Sequence, residues 1–190
     1  INVLHEEFFE TTYKQVNLFI AGAGNVGSRL IEQLKQQHTY LQQHLRLNVR
    51  VVAIANSKRV ALNEEGLDLN QWEASLAAAA PMGLNELVQF IIDKNLRNSV
   101  FVDVTANAGV ADCYATLLQK SVTVVACNKI AASSVYSNYE HLKNLAREYN
   151  TSFLFETNVG AGLPVIGTLN DLMRSGDEVQ IIDNNTKDDL

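Results

Sequence analysis

Basic clusters, cysteine frameworks and long apolar runs are all missing from this sequence. Its 190 residues hold 15 Lys and Arg against 21 Asp and Glu, for a net charge of -6. No basic patch offsets that balance, which excludes the phosphate-neutralising footprint of a nucleic-acid partner. The two cysteines, Cys113 and Cys127, are too few for a disulfide framework and do not form C-x-x-C, so they read as small buried hydrophobes. The four histidines, His5, His38, His44 and His141, never fall at i, i+4, the spacing that would set two metal ligands on one helix face. No apolar run is long enough to cross a bilayer, and residues 1–10 are acidic and aromatic rather than basic-then-apolar. The expectation is a soluble, cytoplasmic protein without a membrane partner.

What is present is alternation. Residues 16–21, 49–55, 100–105, 122–126 and 152–155 are nearly continuous apolar runs, the pattern of strands buried on both faces. Between them, residues 26–45, 84–95, 108–119 and 137–149 carry apolar residues at helical spacing, and 69–80 forms a further helix halted by Pro81. This predicts an α/β fold, a doubly wound, mostly parallel sheet of the Rossmann type with helices on both faces. Right-handed crossovers then put every strand's C-terminal end on one edge, where ligands bind. The domain runs over 16–176. Residues 1–15 read as a helical lead-in from a preceding domain, and 177–190 as a short tail, strand-like to Ile182, at the start of a further substrate and dimerisation domain.

The first strand runs into Gly22-Ala23-Gly24-Asn25-Val26-Gly27, a G-x-G-x-x-G between strand and helix. Gly22 permits the turn, Gly24 lets a pyrophosphate approach the backbone, and Gly27 lets the helix pack on the strand. Asn25 and Val26 open that helix and offer N–H donors at its positive end. The second strand ends at Asn56-Ser57-Lys58-Arg59, where an NAD site usually carries an acid. A hydroxyl and two cations instead suit a 2′-phosphate, so NADP(H) is preferred over NAD(H); the alternative is a basic surface turn indifferent to the cofactor.

Three further strand ends complete the edge. Thr105 and Ala106 follow Asp103; small residues there leave room for a planar ring, while Asp103 reads as a backbone-bonding group without chemistry. Cys127-Asn128-Lys129 places a lysine where it could orient a substrate or relay a proton, or simply be exposed. The stretch from Glu156 through Thr157-Asn158-Val159-Gly160-Ala161-Gly162-Leu163-Pro164 is a strand-to-helix turn. It is either a ligand cage of carboxylate and carbonyls or a plain structural corner.

Together these segments resemble homoserine dehydrogenase, in particular the dehydrogenase half of bifunctional aspartokinase–homoserine dehydrogenases; the turn Asn158-Val159-Gly160-Ala161-Gly162-Leu163-Pro164-Val165-Ile166 carries most of the likeness. The resemblance implies NAD(P)-dependent interconversion of aspartate 4-semialdehyde and homoserine, on the way to threonine and methionine, in a homo-oligomeric parent. It implies Lys129 as the catalytic group facing nicotinamide and substrate, Thr105 on the cofactor, and Gly160 near the substrate. It further implies a monovalent cation, sodium or potassium, at Glu156, Val159, Ala161 and Leu163. An isolated cofactor region would bind NADP(H) and turn over little. Two other readings remain open: a non-catalytic nucleotide-sensing module, and another semialdehyde dehydrogenase.

Overall fold

A computed structural model describes residues 13–159 and 162–180. The lead-in at 1–12, Gly160, Ala161 and the tail from 181 onward lie outside the described residues. Strand β1 (Lys14–Ala21) enters helix α1 (Asn25–Gln43), and β2 (Leu47–Ala55) turns directly into β3 (Val60–Leu62). Helices α2 (Trp72–Ala78) and α3 (Leu84–Lys94) lead to β4 (Ser99–Asp103), then the short α4 (Ala108–Ala111) and α5 (Tyr114–Leu118) lead to β5 (Thr123–Ala126). Next come α6 (Ile130–Ser133), α7 (Tyr136–Glu148), β6 (Phe153–Leu154), a 3-10 turn (Glu156–Asn158) and α8 (Val165–Ser175).

The described strands form one sheet in the order β3-β2-β1-β4-β5-β6, parallel except for β3 at the edge. The chain winds outward from β1 to β3, returns, and winds the other way from β4 to β6. Between β1 and β4 lies the switch point where doubly wound sheets bind ligands.

Alternation along the strands divides the core. Leu18, Ile20, Val51, Ile54 and Val102 pack with Ile31 of α1 and Leu76 of α2 on one face. Phe19, Val52, Phe101, Val124 and Phe153 pack with Leu87, Tyr114, Leu117, Leu142 and Leu145 of α3, α5 and α7 on the other. Each fully buried large apolar side chain contributes about 1.5–3 kcal/mol, against about 1 kcal/mol for a typical hydrogen bond. The core therefore sets the fold, and polar side chains set the detail of its edge.

Four elements differ from expectation. The segment after Lys58 opens with β3, because Asn56 closes a tight hairpin: its N–H donates to the Arg59 carbonyl at 3.0 Å, and its side chain accepts from the N–H groups of Lys58 and Arg59 at 2.8 Å each. The single helix expected at 108–119 is two, since the chain bends at Asp112 and Cys113 and sends Tyr114 inward. Strand β4 stops at Asp103, whose side chain takes the N–H of Thr105 at 2.8 Å and turns the chain away. After α8, Gly176 (φ 99°) ends the helix through bonds from its own N–H to Met173 and from Asp177 to Leu172, and 177–180 is not strand.

Candidate functional site

Five of the six described strands are followed by a side-chain acceptor for backbone N–H groups, four of them at the edge where the parallel strands end. Asn56 serves β2, Asn63 serves β3 through Glu65, and Asp103 serves β4. Asn128 serves β5 through Ile130 at 3.2 Å, and Glu156 serves β6 through Ile166 and Gly167 at 2.8 Å each. Strand β1 differs. It runs into Gly22-Ala23-Gly24, the N-cap of α1 is Gly24 with no side-chain bond, and no acid lies in the first turn of α1. The N–H groups at this helix end face no side-chain acceptor among the described residues, which suits an anionic ligand.

The glycines fit that role for separate reasons. Gly22 adopts φ 113°, and a Cβ there would press on the Val104 carbonyl at 3.0 Å. A Cβ on Gly27 would sit 2.0 Å from the Gly22 carbonyl, so helix and loop touch backbone to backbone. A Cβ on Gly24 would meet nothing within 4 Å: this glycine borders open space. That space is a cleft of about 570 Å³ at the switch point, lined by Gly22, Gly24, Asn56, Ser57, Thr105 and Asn107 among others. Gly83, Leu84 and Leu87 at the start of α3 form an apolar wall that the sequence reading did not anticipate.

The remaining expected residues sit around this cleft. Asn25, Val26 and Gly27 form the first turn of α1, with Val26 exposed. Lys58 is exposed with its ammonium unpaired among the described residues. Arg59 is committed elsewhere: its guanidinium donates to the carbonyls of Ala77 and Ala79 at 2.5 and 2.8 Å, capping the end of α2. Thr105 lines the cleft, its hydroxyl accepting from the Asn107 N–H, and Ala106 is exposed beside it. Lys129 is the exposed N-cap of α6; it does not line the cleft, but Asn128 ties it to the cleft wall by donating to the Asn107 carbonyl at 3.0 Å.

Beneath the edge lies a polar cluster that sequence reasoning missed, although an acid inside an apolar strand was its signal. Asp103, 0% exposed, accepts from Thr105, from the Tyr114 hydroxyl at 2.5 Å and from the Asn128 amide at 3.0 Å. Burial, then the bond to Asp103 and its charge, raises the Tyr114 phenol above its ordinary range. Burial first, and the Asp103 charge second, pushes the Cys113 thiol up to about 12, so it stays protonated and donates to the Val110 carbonyl. This agrees with the inert reading of that cysteine.

In the Glu156 turn the carboxylate is already used, since both its oxygens cap the start of α8. The carbonyl of Glu156 accepts from Val159 at 3.3 Å and that of Leu163 from Val165 at 2.9 Å. The side-chain oxygen of Asn158 is buried and has no hydrogen-bond partner. No group of three or more His, Cys, Asp or Glu that could hold a metal occurs among the described residues. The oxygens of this turn that are not engaged with α8 are therefore neutral ones, since the Glu156 carboxylate is bonded to Ile166 and Gly167. Gly160 and Ala161, expected near substrate and cation, lie outside the described residues.

The family model described as homoserine dehydrogenase, NAD binding domain, matches residues 22–156. A bifunctional aspartokinase/homoserine dehydrogenase of Haemophilus influenzae is 41% identical over 95% of this chain and 22% of its own length. A chloroplastic bifunctional aspartokinase/homoserine dehydrogenase of Zea mays is 36% identical over 94% of this chain and 20% of its own length. The chain thus spans about a fifth of the length of these relatives. A hyperthermophilic archaeal homoserine dehydrogenase mutant solved in complex with NADPH superposes with a TM-score of 0.68 at 25% identity, covering 85% of this chain and 50% of that one. No described helix is long and apolar enough to cross a membrane.

Two substitutions test this geometry. Gly27→Ala forces a backbone contact apart and should cost about 1–3 kcal/mol, read as a fall in Tm, and abolish dinucleotide binding in a fluorescence titration. Glu156→Gln turns an amide N–H₂ onto one of two helix N–H groups; a loss of about 1–2 kcal/mol is expected, with faster hydrogen exchange at Ile166 and Gly167 and unchanged exchange in β1.

Proposed function

The chain belongs to the homoserine dehydrogenase family through its NAD-binding domain, and on that footing we propose that it is the cofactor-holding part of an enzyme interconverting aspartate 4-semialdehyde and homoserine. The observation that carries the reading is the β1 end, the one end among the described strands with no side-chain acceptor, opening onto the switch-point cleft. The backbone N–H groups of 23–27 hold the pyrophosphate there. Thr105 borders the ring-binding end, with the exposed Ala106 next to it in sequence, and Leu84 and Leu87 exclude water from its apolar wall. When bound, the nicotinamide supplies the hydride chemistry. Lys129 orients the substrate and steadies charge at its reacting oxygen, with Gly160 beside the substrate.

Cofactor preference follows from which cation is free. NADP(H) is favoured because Asn56 shapes the hairpin so that Ser57 and Lys58 stand exposed at its tip with no acid beside them. Arg59 contributes by bracing α2 against that hairpin. A sodium or potassium ion would be held by the carbonyls of Glu156, Val159, Ala161 and Leu163, since the Glu156 carboxylate is spent on α8. The whole enzyme is a homo-oligomer working in the cytoplasm, with a small-molecule substrate and neither nucleic acid nor membrane as partner.

Titration with NADPH and NADH separates the two cations. Lys58→Ala is expected to weaken NADPH about tenfold and leave NADH unchanged, whereas Arg59→Ala lowers Tm and weakens both cofactors alike. Equal effects of Lys58→Ala on both cofactors would refute the 2′-phosphate reading. In the full-length protein, Lys129→Ala should cut turnover about 10²-fold with little change in cofactor affinity. Turnover that survives it would remove Lys129 from the chemistry, and no NADPH binding at millimolar concentration would sink the reading altogether.

A further inference from the structure

Asp103 is the one buried carboxylate among the described residues. Everything facing its two oxygens is a donor: Thr105 N–H at 2.8 Å on Oδ1, Tyr114 O–H at 2.5 Å and Asn128 Nδ2 at 3.0 Å on Oδ2. A carboxylate has acceptor lone pairs for all three donors at once.

Two of the three bonds lead to the candidate site. Asn128 spends one amide hydrogen on Asp103 and directs the other to the Asn107 carbonyl at 3.0 Å, while its Oδ1 takes the N–H of Ile130. Its main-chain carbonyl accepts from Asn158 of the Glu156 turn at 3.3 Å. Lys129 lies between Asn128 and Ile130, so its backbone is fixed on both sides by one amide, and that amide is oriented by Asp103. Through Thr105 the same carboxylate sets the cleft wall, where Thr105 holds the Asn107 N–H and Asn107 holds Gly109. The third bond, from Tyr114, goes into the core between Phe101 and Phe153 and away from the cleft.

We propose that Asp103 is a positioning residue of the dehydrogenase reaction, aiming Lys129 and the Thr105 wall at the ring-binding end of the cleft through the Asn128 amide. This rests on the cofactor reading given above. Asp103→Asn cannot accept from all three donors, so one is orphaned and the Asn128 amide must turn. Tyr114→Phe removes a donor from the same oxygen without touching the path to Lys129 and is the internal control.

The test uses the full-length protein, with Tm, kcat, KM for NADPH and hydrogen exchange measured for Asp103→Asn, Asn128→Ala and Tyr114→Phe. Expected is a kcat lowered about 10- to 100-fold in the first two, with KM for NADPH moved less than about threefold and faster exchange at Ile130. Tyr114→Phe should lower Tm yet keep kcat within about twofold. A kcat that falls as far in Tyr114→Phe as in Asp103→Asn, or an Asp103→Asn enzyme of wild-type kcat, overturns the proposal. Should Asp103→Asn fail to fold, Asn128→Ala against Tyr114→Phe makes the same comparison. If the unaltered protein neither binds nor oxidises NADPH, it is the cofactor reading that fails; exchange at Thr105 and Ile130 then still decides whether Asp103 fixes the turn.

Discussion

Parallel strands that end together leave their backbone N–H groups unpaired along one edge, and each needs an acceptor. This chain answers with polar side chains: Asn56, Asp103 and Asn128 take N–H groups just past their own strands' ends, and Glu156 takes those that open α8. The side chains act as Asx-type turns, or, for Glu156, as a cap delivered from outside the helix. Only at β1 does glycine replace such a side chain. The site is therefore defined by contrast, since a ligand is wanted where the fold has withheld its own acceptor.

That contrast also explains why the first turn of α1 can lie so close to the loop. With no side chains at Gly22 and Gly27, the helix comes down onto the Gly22 carbonyl, and Val104, just past β4, packs against the same loop. Asp103 directly precedes that valine. Its three bonds hold the end of β4 still, so the phosphate loop, the cleft wall and the Lys129 turn share one rigid support. Burying a charge is costly, and at the sheet's edge the converging donors make it tolerable.

The parallel strands, the switch point and the glycine turn after β1 were legible because they follow from period and glycine spacing alone. Strand β3 was not, because three residues after a hairpin give no pattern; the asparagine turn at 56–59 was its only signal. The break in 108–119 was hidden because Tyr114 leaves the helical register to reach Asp103, a bond between residues 11 apart that no spacing rule anticipates. Lys129 was singled out by its place at a strand end, yet it stands outside the cleft lining, and its neighbour Asn128 makes the bond to the cleft residue Asn107.

Sequence also cannot say which ionisable groups the fold consumes. Arg59 and Lys58 are neighbours of like charge at the expected 2′-phosphate position, but Arg59 spends its guanidinium on the end of α2 while Lys58 meets no partner among the described residues. Glu156 looks like a ligand by residue type, and its carboxylate is instead what holds α8, a helix with no buried residue of its own. Asp103 looks like a cap and supports the edge. In each case the distinction is set by partners distant in sequence. The groups left to meet a ligand are those without such partners: the N–H groups after β1, Lys58 and Lys129.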